Sequence, residues 1–390
     1  MRLKLKNPLI PLYFVSFIIS MQYALVVYVN SSFLKSITGE SSFGAIFALA
    51  SVLSIVVLLE IPRLLNRIGN YKTMLGFIIL NSLSLFVLGY SKNANIVVLF
   101  FLLYNIANYA ILFSQDIFIE DYTQSGGSIG RARGIVLTAM NLAFVFAPSL
   151  SGYLVIQNLE GISYSRIYIF AALFTIPAIF FIFPWFKRFQ DPKYRKILVT
   201  DTIKKMVFDM NLRKIYISEF LLRFFFSWMI IYTPIYLHEI IGFDWKEIGF
   251  IFTVMLLPFV LVEYPLGEMS DIIGEKKILF FGFLLMSLST LGIFFLHSSN
   301  IFIWAAILFF TRLGAASVEV MNESYFFKKI KARDSGLISF YRNAYPFAII
   351  IAPIVATPIL SLLGYQYVFL ILGMIVFLGL LNAIRLKDIK

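Results

Sequence analysis

The strongest constraint in this sequence is the regular recurrence of long apolar runs separated by short polar segments. Each run is close to the roughly 20 residues that an α-helix needs to cross the hydrocarbon layer of a bilayer. The 390 residues are 60% apolar and only 14% charged, whereas soluble domains carry about 25% charge. The pattern therefore predicts an all-α polytopic membrane protein and excludes a soluble multidomain chain.

The runs divide into twelve predicted transmembrane helices, each long enough for the bilayer at about 1.5 Å per residue. They are Pro8–Val29, Phe43–Ile61, Thr73–Tyr90, Asn95–Ile119, Gly134–Ile156, Arg166–Phe186, Ile215–Leu237, Trp245–Leu266, Ile278–Leu296, Ile301–Met321, Leu337–Leu362 and Tyr365–Ile384. The basic start at Arg2, Lys4 and Lys6 resembles a signal peptide. The run behind it is too long for one and no cleavage motif follows, so we expect a retained first helix.

The basic residues show which side of the membrane each loop occupies. With the N-terminus in the cytoplasm, 26 of the 33 Lys and Arg fall in inner segments and only four in outer ones, namely Lys35, Lys92, Arg166 and Lys246. The positive-inside rule then predicts a multi-pass protein of the cell inner membrane with both termini cytoplasmic. The net charge of +12 is explained by this topology, so no nucleic-acid partner is expected.

The longest polar break, residues 187–214, falls after the sixth predicted helix. It predicts an N-terminal six-helix bundle at 1–186, a cytoplasmic basic linker at 187–214 and a C-terminal six-helix bundle at 215–390. Within the linker, apolar Ile203 and Val207 are interleaved with Lys204 and Lys205. Two interpretations stay open: a helix lying on the anionic inner leaflet, or a solvated linker with some helix.

The two halves resemble each other in the loops that follow helices 2 and 8. The second loop reads Gly267-Glu-Met-Ser-Asp271-Ile-Ile-Gly274-Glu-Lys276-Lys277, and the first places Asn66, Gly69 and Lys72 about 205 residues earlier. Arg131-Ala-Arg133-Gly134 before helix 5 is likewise matched by Arg333-Asp-Ser-Gly336 before helix 11. Such a half-length repeat predicts two pseudo-symmetric bundles.

On these residues the chain resembles the major facilitator superfamily over essentially its whole length. The family pattern G-x-x-x-D-x-x-G-x-[RK]-[RK] is matched fully by the second loop. The first loop departs, with Pro62 in place of the glycine and Asn66 in place of the aspartate. This resemblance implies two rocking bundles, with helices 1, 4, 7 and 10 lining a central cavity.

The resemblance also implies that the loop after helix 8 acts as an inner gate. Gly274 permits a tight turn through a positive φ angle, and the Asp271 carboxylate is stabilised when it lies at the N-terminus of a neighbouring helix. The family places that neighbour as helix 5, with Arg131 or Arg133 as ion-pair partner. The alternative is plain interfacial anchoring of the loop.

Ionisable residues inside the membrane are costly, and they are functional candidates by default. The substrate-binding or coupling candidates are Glu219, Arg223, Glu263, Arg312, Glu319 and the uncharged Asn105. Arg312 lies about 14 Å from the inner end of helix 10, near the midplane. There it would bind an anionic or polar substrate group, or a carboxylate of a proton site. Glu219 and Arg223, four residues apart, can instead simply pair with each other.

Plainer interpretations stay open for the remaining candidates. Glu319 and Glu323 can bind protons or cations, or can form a solvated helix end. Glu263 lies two residues before Pro265 and is either a gate ion-pair partner or a proton carrier. Asn105 lies where many family members have an arginine, but such amides also join helix to helix.

Together these features predict a secondary active transporter that moves a small organic solute or drug by alternating access. Coupling to protons is expected, and the sequence Ala147-Pro148-Ser-Leu-Ser151-Gly152 is a degenerate form of an antiporter pattern that favours efflux. No cofactor, metal or enzymatic motif is visible, because Cys is absent and His numbers two. We expect a monomer. The alternative is a receptor or scaffold on the same fold that does not transport.

Overall fold

The computed structural model of the chain describes residues 9–40, 42–124, 129–158, 161–187, 189, 191, 199–329 and 335–386. Most of these residues are helical. The helices are α1 Leu9–Val27, α2 Asn30–Thr38, α3 Phe43–Ile68, α4 Asn70–Tyr90, α5 Ala94–Gln124, α6 Ile129–Leu154, α7 Ser165–Phe186, α8 Val199–Phe208, α9 Met210–Ile235, α10 Trp245–Leu261, α11 Glu263–Ile273, α12 Glu275–Phe294, α13 Ile301–Lys329, α14 Ser335–Arg342, α15 Ala344–Leu362 and α16 Tyr365–Ile384.

The predicted class, an all-α polytopic membrane protein, is confirmed. Within the described residues, ten helical stretches are long and apolar enough to cross a membrane. The fifth and eighth predicted spans, which are not among the ten, are occupied by α6 and by α10, whose 17 residues are short for a span. The sequence did not predict the small antiparallel hairpin of β1 (Ile156–Asn158) and β2 (Gly161–Ser163), which connects α6 to α7.

The chain divides into two compact units by its internal contacts. One comprises Met1–Gly39 and Leu49–Lys196, and the other comprises Glu40–Ala48 and Ile197–Lys390. In the first unit α1 packs against α6 and α7, and α4 packs against α5 and α7. In the second unit α9 packs against α15 and α16, and α12 packs against α13 and α16. The same pairing pattern therefore recurs, as the half-length sequence repeat predicts.

Two of the predicted continuous helices are broken, and a proline follows each break. The eighth predicted helix is interrupted at Val262 between α10 and α11, and the eleventh at Asn343 between α14 and α15. A proline, Pro265 or Pro346, follows each break by three residues. Proline has no N–H to donate to the preceding turn, but it is tolerated in the first turn of a new helix. Each proline therefore lies in the first turn of the new helix, where its missing N–H leaves no helical hydrogen bond unmade.

Helices α9 and α13 extend beyond the predicted boundaries, and this changes the depth of the candidate residues. Helix α9 begins at Met210 and continues past Pro234 into a π-helical turn, Tyr236–Ile241. Helix α13 continues to Lys329, where the Lys328 ammonium pairs with the buried Glu275 carboxylate at 2.7 Å. Glu319 consequently lies about 15 Å from the end of its helix, rather than beside it.

The linker contains the short helix α8, which ends two residues before the span that begins at Met210. Met206 is buried against the protein, whereas Ile203, Val207 and Phe208 are exposed, the last at 82%. Lys204 and Lys205 are exposed on the same helix. The membrane-surface location of this helix stays a prediction.

Candidate functional site

The candidate site of the second unit is built around a buried ion cluster on α9 and α13. The Arg223 Nε atom donates to Glu219 Oε1 at 2.6 Å, and its Nη1 atom donates to Glu319 Oε1 at 2.8 Å. The side chains of Glu219, Arg223 and Glu319 are 2%, 17% and 24% exposed. One guanidinium thus serves two carboxylates, as Arg can because its donors point in several directions.

The two carboxylates differ in how firmly they are held. Glu219 Oε2 accepts further hydrogen bonds from Asn322 Nδ2 and from the Tyr341 hydroxyl, each at 3.0 Å. The Ser218 hydroxyl in turn donates to Asn322 Oδ1 at 2.6 Å. Among the described residues, Glu319 accepts one hydrogen bond, which Arg223 donates. Glu219 therefore accepts hydrogen bonds from three side chains, whereas Glu319 accepts one among the described residues.

Local helical spacing explains why these groups meet. Glu219 and Arg223 are four residues apart on α9, and Glu319 and Asn322 are three apart on α13, so each pair lies on one helix face. Glu323 is one turn beyond Glu319 and pairs with Arg342 on α14 at 2.9 Å. Glu319 and Glu323 are thus each paired with an arginine and do not form a solvated helix end.

Arg312 lies on the same face of α13 as Glu319, two turns away. It is 2% exposed, and its Nε and Nη2 atoms are buried. The guanidinium carbon is 5.3 Å from the ring centre of Phe225 and 5.0 Å from that of Phe226. Both distances are within the range of cation–π attraction, which compensates part of the cost of burying the charge.

The first unit holds an uncharged polar cluster where three helices meet. Gln22 on α1 and Asn81 on α4 both donate to Asn108 Oδ1 on α5, at 2.8 and 3.1 Å. Asn105 is directed differently, because its amide donates to the Phe101 carbonyl of its own helix at 2.8 Å. The hydrogen bonds between helices are made by Asn108 and not by Asn105. The contacts of Asn108 therefore indicate that it joins α5 to α1 and α4.

The two predicted gate loops share one backbone geometry. Gly69 and Gly274 are the N-caps of α4 and α12, with φ/ψ of 84°/158° and 83°/154°. Only glycine adopts such angles without strain. At the first loop the Asp191 carboxylate accepts the Asn70 backbone N–H at 2.7 Å. A linker residue therefore supplies a carboxylate to the helix N-terminus beside Asn66, where the family aspartate is absent.

The remaining predicted site residues are placed only in part. Gly267 lies within α11, Lys276 and Lys277 lie in the first turn of α12, and Asn66 is exposed near the end of α3. Four other candidates lie on described helices, but their side chains are outside the described part of the structure: Arg131, Arg133, Glu263 and Asp271. Their predicted roles stay predictions.

Sequence reasoning missed two residues that bind Glu219, Asn322 and Tyr341. Asn322 could have been found from its spacing of three residues from Glu319 on one helix. Tyr341 carried no such signal, because aromatic residues are common throughout the chain and Tyr341 lies on another helix. No group of three or more His, Cys, Asp and Glu residues that could hold a metal ion occurs within the described ranges.

Comparison with known proteins agrees with this architecture. The family model described as Major Facilitator Superfamily matches residues 12–245 and 215–388. A crystal structure of a point mutant of the nucleoside transporter NupG superposes with a TM-score of 0.74 at 15% identity, covering 97% of this chain and 99% of that one. A bacterial homologue of the human lysosomal transporter Spinster gives 0.67 at 12% identity, with 97% and 94% coverage. No curated protein sequence matches significantly.

Proposed function

Because the chain belongs to the major facilitator superfamily, we propose that it is a secondary active transporter that moves a small organic solute by alternating access, coupled to protons. Membership of a family of membrane transporters supports transport in general. The observation that supports proton coupling is the sharing of Arg223 between Glu219 and Glu319. The proposed location is the cell inner membrane, with a monomer whose two termini are cytoplasmic, as the distribution of basic residues indicates.

The proton site in this proposal is Glu319. With both carboxylates ionised, the Glu219–Arg223–Glu319 group carries one excess negative charge in a setting where net charge is costly. Protonation of one carboxylate removes that excess. Glu219 accepts hydrogen bonds from three groups, whereas Glu319 accepts one from the described residues and is more exposed. We therefore assign the proposed proton site to Glu319.

The gate role of the segment 267–277, which comprises the end of α11, Gly274 and the start of α12, is part of the same proposal. Its support is the shared turn geometry of Gly69 and Gly274 and the full match of the second loop to the family pattern. The Asp271 carboxylate would stabilise one state of the inner gate, and replacing it with asparagine would weaken that state.

The test is solute flux in proteoliposomes with and without an imposed pH gradient. Purified protein is reconstituted and challenged with a panel of labelled nucleosides, carboxylates, sugars and cationic drugs. We expect uptake of at least one class to rise when a proton gradient is imposed and to fall when a protonophore removes it. Absence of protein-dependent flux across the panel would favour the receptor or scaffold alternative. Gradient-independent flux would contradict proton coupling, and the gradient polarity that stimulates flux gives the direction of transport.

A further inference from the structure

A stripe of exposed apolar side chains continues from the short helix α8 into the start of α9. Ile203 and Val207 are one turn apart on α8, and Phe208 is its last residue. On α9, Met210 and Ile217 are exposed and lie seven residues apart, which places them on one helix face. Because α9 begins a candidate membrane span, this apolar stripe extends the lipid-facing surface of the span onto a helix that precedes it.

The junction between α8 and α9 is fixed by hydrogen bonds. Asp209 is the N-cap of α9, and its Oδ1 atom accepts the backbone N–H groups of Asn211 and Leu212 at 2.9 and 3.1 Å. Such a cap stabilises the end of a helix. Met206 of α8 is buried, and α8 packs against both α9 and α14. The helix is therefore held by one side, and the apolar stripe on its other side keeps a fixed position beside the span.

Two exposed cations flank the apolar stripe. Lys204 lies on α8 three residues before Val207, and Arg213 lies on α9 between Met210 and Ile217. Neither forms an ion pair with a described residue, and the Arg213 Nη2 atom contacts Met210 Sδ at 3.6 Å. Basic side chains next to exposed apolar ones at the end of a span complement an anionic lipid, whose phosphate lies directly above its acyl chains.

We propose that α8 and the first two turns of α9 form a binding site for an anionic glycerophospholipid of the adjacent leaflet. Lys204 and Arg213 bind the phosphate and the headgroup, since Arg donates two parallel N–H bonds to phosphate oxygens. Ile203, Val207 and Phe208 lie against the upper part of the acyl chains. The occupant is a lipid because the apolar stripe is continuous with the lipid-facing residues of the span. This interaction surface goes beyond the proposed transport activity and does not depend on it.

The experiment measures which lipid lies beside α8. The chain contains no cysteine, so Val207→Cys provides a single attachment site for a fluorophore. The labelled full chain is reconstituted in phosphatidylcholine vesicles that contain brominated phosphatidylglycerol or brominated phosphatidylcholine as a minor component. Bromine quenches only a fluorophore close to it, so the two quenching efficiencies give the relative affinity of this site for the anionic lipid. We expect quenching by both lipids, with a clear preference for phosphatidylglycerol.

A second labelled position is the control for the orientation of α8. Lys205 is exposed and lies two residues from Val207, so the two side chains face different sides of the helix. The fluorophore of Lys205→Cys should therefore be quenched little by either brominated lipid. Strong quenching at this position and not at Val207→Cys would mean that the opposite side of α8 faces the membrane, which contradicts the proposed site.

Charge variants in the Val207→Cys background test the two cations. Lys204→Gln and Arg213→Gln should each lower the preference for phosphatidylglycerol about fivefold, the factor that one basic residue contributes at an anionic membrane surface. The matched control combines Arg67→Gln with Lys329→Gln. It removes one arginine and one lysine from exposed positions elsewhere in the chain, and it should leave the preference unchanged.

Specific outcomes would overturn the inference. Absence of quenching of Val207→Cys by either lipid would show that α8 lies in water, and equal quenching by both would exclude an anionic-lipid site. A preference that falls equally in the control pair would indicate a general effect of charge. Self-quenching that rises with protein density, in place of lipid quenching, would assign the apolar stripe to a second copy of the chain. None of these results bears on solute flux, so the proposed function is tested separately.

Discussion

At the scale of single residues, the structure separates two glutamates that look equivalent in the sequence. Glu219 and Glu319 both bond to Arg223, but Glu219 receives two further bonds from Asn322 and Tyr341. Glu219 is therefore held by donors on three helices, whereas Glu319 has a single donor among the described residues. The i,i+4 spacing of Glu219 and Arg223 predicted their pairing. The additional donors to Glu219 come from other helices, which sequence spacing does not reveal.

Glu219→Gln is therefore expected to destabilise the protein. The substitution removes a carboxylate whose side chain is 2% exposed and leaves three donors without an anionic acceptor. Losing one partner of a buried ion pair costs about 3–5 kcal/mol. The measurement is the free energy of unfolding from SDS titration in mixed micelles.

Glu323→Gln is the matched control for this loss. Its carboxylate also pairs with an arginine, but the side chains of Glu323 and Arg342 are 29% and 47% exposed. Pairs this exposed contribute about 0–1 kcal/mol. Equal losses of stability in the two variants would show that the Glu219 network is not specially stabilising.

At the scale of elements, close packing of α12 against α13 positions the helix that carries Arg312 and Glu319. Gly314 lies between those two residues in the sequence. A Cβ atom there would come within 2.6 Å of the Gly282 carbonyl oxygen and of the Met286 amide nitrogen on α12. Both contacts are with backbone atoms, which side-chain rotation cannot relieve. The helices meet this closely because a glycine is present at this point.

Gly314→Ala is consequently expected to destabilise the second unit by about 1–3 kcal/mol, the usual cost of overpacking. Gly76→Ala on α4 is the control, because a Cβ atom there meets nothing within 4 Å. That change should be neutral or slightly stabilising, since alanine favours helices more than glycine does. Thermal unfolding of both variants measures the difference. A tolerated Gly314→Ala would mean that the two helices can separate without cost.

At the scale of the whole molecule, the sequence predicts what depends on local pattern and misses what depends on tertiary contact. Apolar runs predicted the spans, and the half-length repeat predicted the recurrent helix pairing. The breaks at Val262 and Asn343 were not readable from proline alone, because prolines such as Pro62, Pro148 and Pro258 lie inside unbroken helices. The extension of α13 to Lys329 was not readable, since it accompanies the bond between Lys328 and Glu275 on another helix. The contact of Phe226 with Arg312 on another helix was equally hidden.

The proposed account of the molecule is that the movement of a small solute is coupled to protonation of Glu319. The most direct test uses proteoliposomes that contain a trapped pH-sensitive dye, with a solute found to be transported added outside. We predict that the internal pH changes as the solute crosses in the unaltered protein, and that Glu319→Gln loses this pH change. Solute flux without a pH change in the unaltered protein, or a pH change that persists in Glu319→Gln, would contradict the account.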